Sequence, residues 1–198
     1  MNIFYNKNGL QDTLIISVEN IEHDLLIEEK DYVVLKNENN VVGINIFHFS
    51  KYLDIKSGYI YPTNEIITIV KKITNIDIKP FVQINFQVGK IASFEKIPNT
   101  KLSNCKINIG EETLQIVCGA NNFETNNLVV VAKINSMLPN GFHIHKSKIQ
   151  GFESFGMLCS KKEMLLKDFD GNDVGILLLN NKKYKLEDEF VEIYNNLI

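Results

Sequence analysis

Three short stretches between residues 82 and 118 alternate apolar and polar residues with the two-residue period of a half-buried β-strand. The apolar positions of the first stretch are Val82, Ile84, Phe86 and Val88. Those of the second are Cys105, Ile107 and Ile109, and those of the third are Leu114, Ile116 and Cys118. A Gly110-Glu111 turn separates the last two stretches. Short strands at this spacing predict a small all-β barrel.

The polar positions of these strands give the predicted barrel an outer face of uncharged and basic side chains. Asn104 and Lys106 alternate with the buried residues of the second strand, and Gln115 does so in the third. A wall of Lys, Asn and Gln suits a polyanionic ligand. The alternative is a solvated outer face without a ligand, which is the simpler account of any single lysine, and both interpretations stay open.

Residues 1–78 predict a small domain that mixes strands and helix. The segments MNIFY, TLIISV, DYVVLK and VVGINIFHF have strand patterns, and the last two flank a turn at Glu38-Asn39-Asn40. A helix is expected after Pro62, with Thr63 as its N-cap. Its apolar face is formed at helical spacing by Ile66, Ile69, Val70 and Ile73. The domain boundary is expected between residues 74 and 80, so a second domain would span residues 79–198.

The end of the chain predicts a C-terminal extension of the barrel. The segments NNLVVVAKI and FHIHKSKI have strand patterns, and the apolar run from Gly175 to Asn180 predicts a further strand buried on both faces. Residues 185–198 predict an acidic helix. Its apolar stripe would consist of Leu186, Phe190, Ile193 and Tyr194.

The charges are distributed unevenly along the chain. The total is −3, but residues 81–163 hold nine Lys and six Glu, a net of +3. Residues 1–80 and residues 164–198 each carry a net charge of −3. All 21 basic residues are Lys, so the chain has no arginine for bidentate contacts to phosphate. Local potential governs the approach of a polyanion, and the barrel segment is therefore the expected site for one.

Several function classes lack support in the sequence. No apolar run reaches the length of a membrane span, and no export signal precedes the fold. The three cysteines are scattered, which favours a reducing cytosol over a disulfide framework. His143 and His145 would point the same way from a strand, but no thiol pair has the spacing of a zinc site. Without a Gly-rich phosphate loop or a catalytic constellation, we expect no cofactor, no metal and no enzymatic activity.

Three motifs occur in order and close together: QIVCGANN (115–122), MLPNGFHIHKSKIQGFES (137–154) and GMLCS (156–160). In these motifs the segment resembles the tRNA-binding domain of the endothelial-monocyte-activating-polypeptide type. Such domains occur near the N-terminus of the bacterial phenylalanyl-tRNA synthetase β chain and in free-standing tRNA-binding proteins. The whole chain, with its N-terminal segment, resembles the free-standing bacterial proteins of the YtpR type. The resemblance implies an oligonucleotide-binding (OB) barrel and tRNA as the partner.

The fold class predicted is therefore an α+β N-terminal domain followed by an all-β OB-fold barrel with a C-terminal extension. OB barrels bind nucleic acid on the face of strands 2 and 3, which here carries Asn104 and Lys106, and Lys133 ends a later strand. The resemblance adds two groups of candidate RNA-binding residues. One consists of lysines at the positions where the family's basic residues cluster, and the other belongs to the family's Ser-x-Gly-Met segment. These are Lys146, Lys148, Lys161, Ser154, Met157 and Ser160. Core packing is the alternative role for Met157, and solvation is the alternative for each Lys.

One departure from the family pattern lies in the loop before the second strand. The family has a His-Pro there, whereas this chain has Ile97-Pro98, and the loop is one residue shorter. Any contact of that histidine is therefore not carried over.

The leading hypothesis is a non-catalytic, cytoplasmic tRNA-binding protein that contacts phosphates and shape. The alternative is a protein–protein interaction module that has lost RNA binding. A homodimer through the C-terminal region is also predicted, because the apolar run from Gly175 to Asn180 needs cover on a second face. Cover from the chain's own C-terminal helix is the competing explanation.

Overall fold

The computed structural model describes residues 1–195, and they divide into two compact units. The first comprises Met1–Gln83 and the second Ile84–Ile193. Both units are built mainly from antiparallel β-sheet. No helix in the described part of the chain is both long and apolar enough to cross a membrane.

The first unit is a six-stranded antiparallel sheet with one helix. In sheet order, the strands are β3, β4, β5, β2, β1 and β6. Their bounds are β1 Asn2–Asn6, β2 Thr13–Ser17, β3 Leu25–Glu28, β4 Tyr32–Asn37, β5 Asn40–Ile46 and β6 Gly58–Ile60. The core of the unit lies between sheet and helix and includes Ile3, Leu14, Ile16, Ile44 and Phe49.

The predicted hairpin and helix of this unit are confirmed. Glu38 and Asn39 connect β4 to β5 with positive φ angles of 53° and 98°, as a two-residue type I′ turn requires. The helix, α1, spans Asn64–Thr74, and the Ile66 N–H donates to Thr63 Oγ1 over 3.3 Å, so Thr63 is the N-cap. Ile66 and Val70 are buried against the sheet. The pattern missed β3, whose four residues are all exposed, and β6, whose three residues are too few to display an alternation in the sequence.

The half-buried carboxylate of Asp12 ties the β1–β2 connection to the segment after β5. Asp12 accepts hydrogen bonds from Tyr5 Oη (2.6 Å) and from the Ser50 N–H and Oγ (2.9 and 2.7 Å). Burial raises the pKa of Tyr5 to about 12, aided by its hydrogen bond to Asp12. Burial alone would raise the pKa of Asp12, but the hydrogen bonds from Tyr5 and Ser50 hold that pKa below its ordinary value.

The second unit contains a five-stranded antiparallel sheet in the order β13, β10, β7, β8, β9. The strands are β7 Phe86–Lys96, β8 Ser103–Asn108, β9 Thr113–Cys118, β10 Leu128–Lys133 and β13 Gly156–Leu158. A separate hairpin is formed by β11 Ser147–Ile149 and β12 Phe152–Ser154, and β14 Leu178–Leu179 pairs with β10. No ladder of the described residues joins the edge strands β9 and β13, so strand pairing does not close the sheet.

The predicted faces of β8 and β9 agree with the observed burial. Cys105, Ile107 and Ile116 lie in the core of the unit, while Lys106 is exposed. The predicted start of the first strand is wrong. Val82 and Ile84 are exposed and precede the strand, and a 3-10 turn occupies Lys79–Phe81, since Pro80 favours the start of such a turn.

The predicted acidic helix at 185–198 is also wrong over most of its length. Leu186 and Glu187 form a turn, and residues 188–190 run antiparallel to the start of β7, where the Glu187 N–H donates to Val88 O (3.0 Å) and the Phe190 N–H to Phe86 O (2.8 Å). Because β8 pairs with β7 only from Lys90 onward, this segment satisfies backbone groups that would otherwise be unpaired. A short helix, α2, follows at Glu192–Asn195, and residues 196–198 lie outside the described residues.

The apolar run from Gly175 to Asn180 contributes only the two residues of β14 to the sheet. The run is nonetheless buried within its own unit: Ile176, Leu177 and Leu179 are buried, and the Leu177 N–H donates to Cys159 O over 2.8 Å. The chain therefore covers this run itself. The predicted strand Phe142–Ile149 is likewise shorter, because only Ser147–Ile149 pairs in a ladder.

Candidate nucleic-acid interface

A polar, lysine-bearing surface runs across β8, β9 and the β11–β12 hairpin. Lys106 and Gln115 are directly opposite each other in the β8–β9 ladder. Lys106 Nζ donates to Gln115 Oε1 over 2.8 Å, and Gln115 Nε2 donates to Glu153 O on β12 over 2.8 Å. We call the surface of Asn104, Lys106, Gln115, Lys146, Lys148 and Glu153 the lysine face.

The hairpin is attached to the edge of β9 by backbone and serine contacts. The Phe155 N–H donates to Gln115 O over 2.8 Å, and the Val117 N–H donates to Ser154 Oγ over 3.1 Å. Ser154 is buried, and its hydroxyl also donates to Gly156 O at 3.2 Å. Ser154, predicted as an RNA contact, therefore positions the hairpin in this structure.

Two lysines of the hairpin flank a single carboxylate. Lys146 Nζ lies 2.8 Å from Glu153 Oε1 and 4.8 Å from the centroid of the Phe155 ring. Lys148 is exposed and directly opposite Glu153 in the ladder. The hydrogen bond from Lys146, followed by its charge, holds the pKa of Glu153 below its ordinary value.

Sequence reasoning did not identify Glu153, which belongs to the lysine face, or Phe155, whose ring lies beside Lys146. The sequence did contain a turn signal at Gln150-Gly151. In the structure these two residues have positive φ angles of 50° and 86°. A two-residue turn of that kind places Lys148 opposite Glu153 by register alone.

Asn104 lies two residues before Lys106 on the same strand and therefore on the same face. Its side-chain oxygen is buried and accepts no hydrogen bond from the described residues. Asn104 thus belongs to the lysine face, although that oxygen is not presented to solvent.

Met157 and Ser160 line a different feature, an open groove of about 420 Å³ beside the lysine face. The segment Val117–Ala120, Glu163 and Ile176 complete its walls. Ser160 is held there, because its N–H and its Oγ both lie 2.7 Å from Glu163 Oε2.

Lys133 and Lys161 lie apart from the lysine face. Lys161 Nζ is 2.8 Å from Asp173 Oδ1 and its side chain is only 11% exposed, so this cation is already paired. Lys133 ends β10 and lines a pocket together with Glu111, Glu112 and Glu187. The structure thus brings together Asn104, Lys106, Lys146, Lys148 and Ser154, and it separates Lys133 and Lys161 from them.

Two motif residues have structural roles that explain their residue types. Gly156 has a φ of 149°, and a Cβ there would lie 2.7 Å from Ala132 O on the neighbouring strand. Asn122 clamps the apolar run: its Nδ2 donates to Ile176 O (2.8 Å) and its Oδ1 accepts from the Ile176 N–H (3.1 Å).

The thiols and the histidine pair form no recognisable reactive or metal centre. All three cysteines are free and buried, and burial raises the pKa of Cys105 to about 12. His143 Nδ1 lies 3.2 Å from His145 Nε2. Across the described residues, no group of three His, Cys, Asp or Glu side chains is arranged to hold a metal.

The loop that departs from the family pattern is a compact turn. Ile97, at the place of the family's histidine, is buried, and its N–H donates to Leu102 O over 3.0 Å. The Thr100 N–H and Oγ1 both donate to Ile97 O, at 3.2 and 2.9 Å. Ile97 therefore contributes to packing and offers no polar group to a ligand.

Comparison with known proteins matches residues 86–185 to the family described as "Putative tRNA binding domain". The chain is 41% identical to the "Putative tRNA-binding protein YtpR" of Bacillus subtilis, over 96% of this chain and 99% of that relative. It is 32% identical to an uncharacterised protein of Mycoplasma genitalium, over 99% of this chain and 90% of the other.

A third relative extends the match to a much larger protein. The phenylalanine–tRNA ligase β subunit of Fusobacterium nucleatum is 41% identical over 69% of this chain, which corresponds to 17% of the ligase subunit. The family match spans half of the chain, and the Bacillus relative matches it almost from end to end. This chain belongs to the tRNA-binding domain family.

Proposed function

We propose that this protein binds tRNA without catalysis, through the lysine face of its second unit. The observation that carries the proposal is the hydrogen-bonded chain from Lys106 through Gln115 to Glu153 and Lys146. It holds lysines from two separate parts of the sequence on one surface, where Lys148 joins them. Membership of the family and the name of the Bacillus relative support the same ligand.

The order of the strands supports an OB barrel. In chain order β7, β8 and β9 form a meander, β10 lies beside β7, and β13 lies beside β10. The edges β9 and β13 are brought close by the bond from Phe155 to Gln115, although no ladder joins them. A partly open five-stranded barrel of this order binds oligonucleotides on strands 2 and 3, which correspond to β8 and β9.

The mode of binding follows from the side chains on the lysine face. Lysine is a flexible point charge with no planar fork, so it contacts phosphate oxygens and carries little base information. Exposed ion pairs such as Lys146–Glu153 contribute little to stability, because solvent screens them, and a phosphate can therefore replace Glu153 as the partner of Lys146 at small cost. Affinity should fall steeply with salt and vary little among tRNA species.

The proposal assigns tRNA binding to residues 79–198 and treats residues 1–78 as a separate domain. It also places the protein in the cytoplasm and requires no cofactor. Lys133, Met157, Ser160 and Lys161 stay in the proposed site as secondary candidates. Met157 and Ser160 line the neighbouring groove, Lys161 is paired with Asp173, and Lys133 lines a separate pocket with three glutamates. The homodimer remains a prediction, although the apolar run at 175–180 no longer supports it, because the chain buries that run itself. Light scattering decides between a mass of 22.7 kDa and twice that value.

The test is titration of the full chain with unfractionated tRNA at several salt concentrations. A K106A/K146A/K148A variant should bind weakly and reduce the slope of log affinity against log salt by about two to three. The matched control is K167A/K182A/K185A, which removes the same charge from exposed lysines of the same unit and should bind like the parent. Equal loss in both variants would mean that only net charge matters and would refute the assigned face.

A further inference from the structure

The outermost strand of the first unit, β3, has four residues and one edge without a partner strand among the described residues. It pairs with β4 on one side only and ends the sheet. The Glu29 N–H donates to Tyr32 O over 2.8 Å. Counted back from Glu29, every second residue of β3 therefore points its backbone N–H and C=O groups at β4. Leu26 and Glu28 consequently turn their backbone N–H and C=O groups toward the open edge.

Both faces of this strand carry exposed apolar side chains. Leu25, Leu26 and Ile27 are 47%, 49% and 36% exposed. Leu26 shares one face with Leu35 of β4, while Leu25 and Ile27 point to the other face. Open edges of natural sheets are normally protected by charged side chains, proline or a covering segment, and an apolar open edge is a template for another strand.

The surroundings of β3 are acidic. Residues 19–31 hold six acidic residues and one lysine. Among the residues described, Glu22, Asp24 and Glu28 form no ion pair. A second copy of this strand would bring these carboxylates together and be repelled, whereas a basic strand would be attracted.

We propose that the β3 edge binds an extended, lysine- or arginine-bearing segment of a partner protein by β-strand addition. The backbone groups of Leu26 and Glu28 would hydrogen-bond to the incoming strand. Leu25, Leu26 and Ile27 would cover its alternate apolar side chains, and the acidic rim would pair with its basic ones. The inference rests on the first unit alone and does not depend on tRNA binding.

The experiment measures binding of a fluorescent peptide that alternates valine and lysine to the full chain. A peptide with glutamate in place of lysine is the control for charge. Leu26→Pro removes the outward N–H and should weaken binding by about tenfold or more, whereas Leu26→Ala keeps the N–H and should weaken it less. Circular dichroism and thermal unfolding verify that both variants are folded.

A charge reversal keeps the test decisive if Leu26→Pro fails to fold. Glu28→Lys should weaken binding of the lysine peptide and strengthen binding of the glutamate peptide. Absence of binding to the parent, equal binding to the Leu26→Pro variant, or indifference to charge reversal would each overturn the proposal. A dimer of the full chain that Leu26→Pro abolishes would also overturn it, because a second copy would then occupy the edge.

Discussion

The lysine face and the β3 edge are both exposed parts of antiparallel sheets, yet they are built in opposite ways. On the lysine face the backbone of β9 is covered by the β11–β12 hairpin and the side chains offer positive charge. At β3 the backbone is open, the side chains are apolar and the rim is negative. The two proposals follow from this difference, because one surface would recognise charge through side chains and the other would recognise a strand through its backbone.

The net charge of each whole unit does not reveal this contrast between the two surfaces. Residues 1–83 contain eight Lys and eleven acidic residues, whereas residues 84–193 contain thirteen of each. The second unit is therefore neutral, and its positive potential depends on which lysines share a face. The following predictions perturb one unit at a time.

The largest effect is expected from Gly156→Val in the second unit. A side chain at a φ of 149°, with its Cβ 2.7 Å from Ala132 O, should lower the free energy of unfolding by about 3 kcal/mol or more. Urea unfolding measures the loss. The control is Gly151→Ala, at a φ of 86° with no atom near the added Cβ, which should cost about 1 kcal/mol. Similar losses at both positions would show that the strand contact is unimportant.

Tyr5→Phe should affect the first unit. It removes one hydrogen bond to the half-buried Asp12 and should lower the free energy of unfolding by about 1–1.5 kcal/mol. In the parent, the folded-state pKa of Tyr5 is raised to about 12, so its contribution is fully present below the unfolded value near 10 and is lost as pH rises through 12.

A pH series of urea unfolding between those values tests the sign for Tyr5. The parent should lose stability over this window, and the Tyr5→Phe variant should lose less. tRNA affinity at neutral pH should be the same in both, and a shared loss of affinity would contradict the assignment of binding to the second unit.

Thr63→Ala should have a smaller effect, again in the first unit. The hydroxyl caps α1 by accepting from the Ile66 N–H, and its loss should cost about 1 kcal/mol. Thr63→Ser keeps the hydroxyl and serves as the control in thermal unfolding. A midpoint for Thr63→Ala equal to that of the serine variant would contradict the cap.

The smallest effect is expected from Glu153→Gln on the lysine face. It removes the carboxylate beside Lys146 and Lys148 and should tighten tRNA binding by about threefold at low salt, with less gain at high salt. Filter binding or fluorescence anisotropy measures the change. Glu124→Gln removes an exposed charge from the same unit outside the lysine face and should leave affinity unchanged. Weaker binding by the Glu153 variant would mean that the ion pair is needed to hold Lys146 in place.

Local patterns predicted those elements whose stabilising contacts are local. The α1 helix and the β4–β5 turn depend on Thr63 and on the Glu38-Asn39 pair, which the sequence displays directly. The motifs pointed to the correct segment because Gly156 and Asn122 are required by backbone geometry. The lysine face was predicted only in part, since the sequence does not display that Lys161 pairs with Asp173.

Predictions that depended on distant partners were wrong. Residues 185–191 have helical spacing, but residues 187–190 instead form hydrogen bonds to the backbone at the start of β7, which β8 leaves unpaired. β3 has no apolar alternation because neither of its faces is buried. No periodic pattern in a short stretch of sequence marks its exposed leucines as part of a strand.

The pairing of β7 with residues 187–190 has a consequence for synthesis on the ribosome. The side-chain amide of Gln87 donates to the carbonyl of Glu187, 100 residues later, so the start of β7 finds this partner only once residue 187 has been synthesised. The strands and the helix of the first unit all lie between residues 2 and 74, so they can form while the rest of the chain is still emerging. Until residues 187–190 have been synthesised, the start of β7 lacks the partner for one of its edges, and the second unit therefore completes its sheet later than the first.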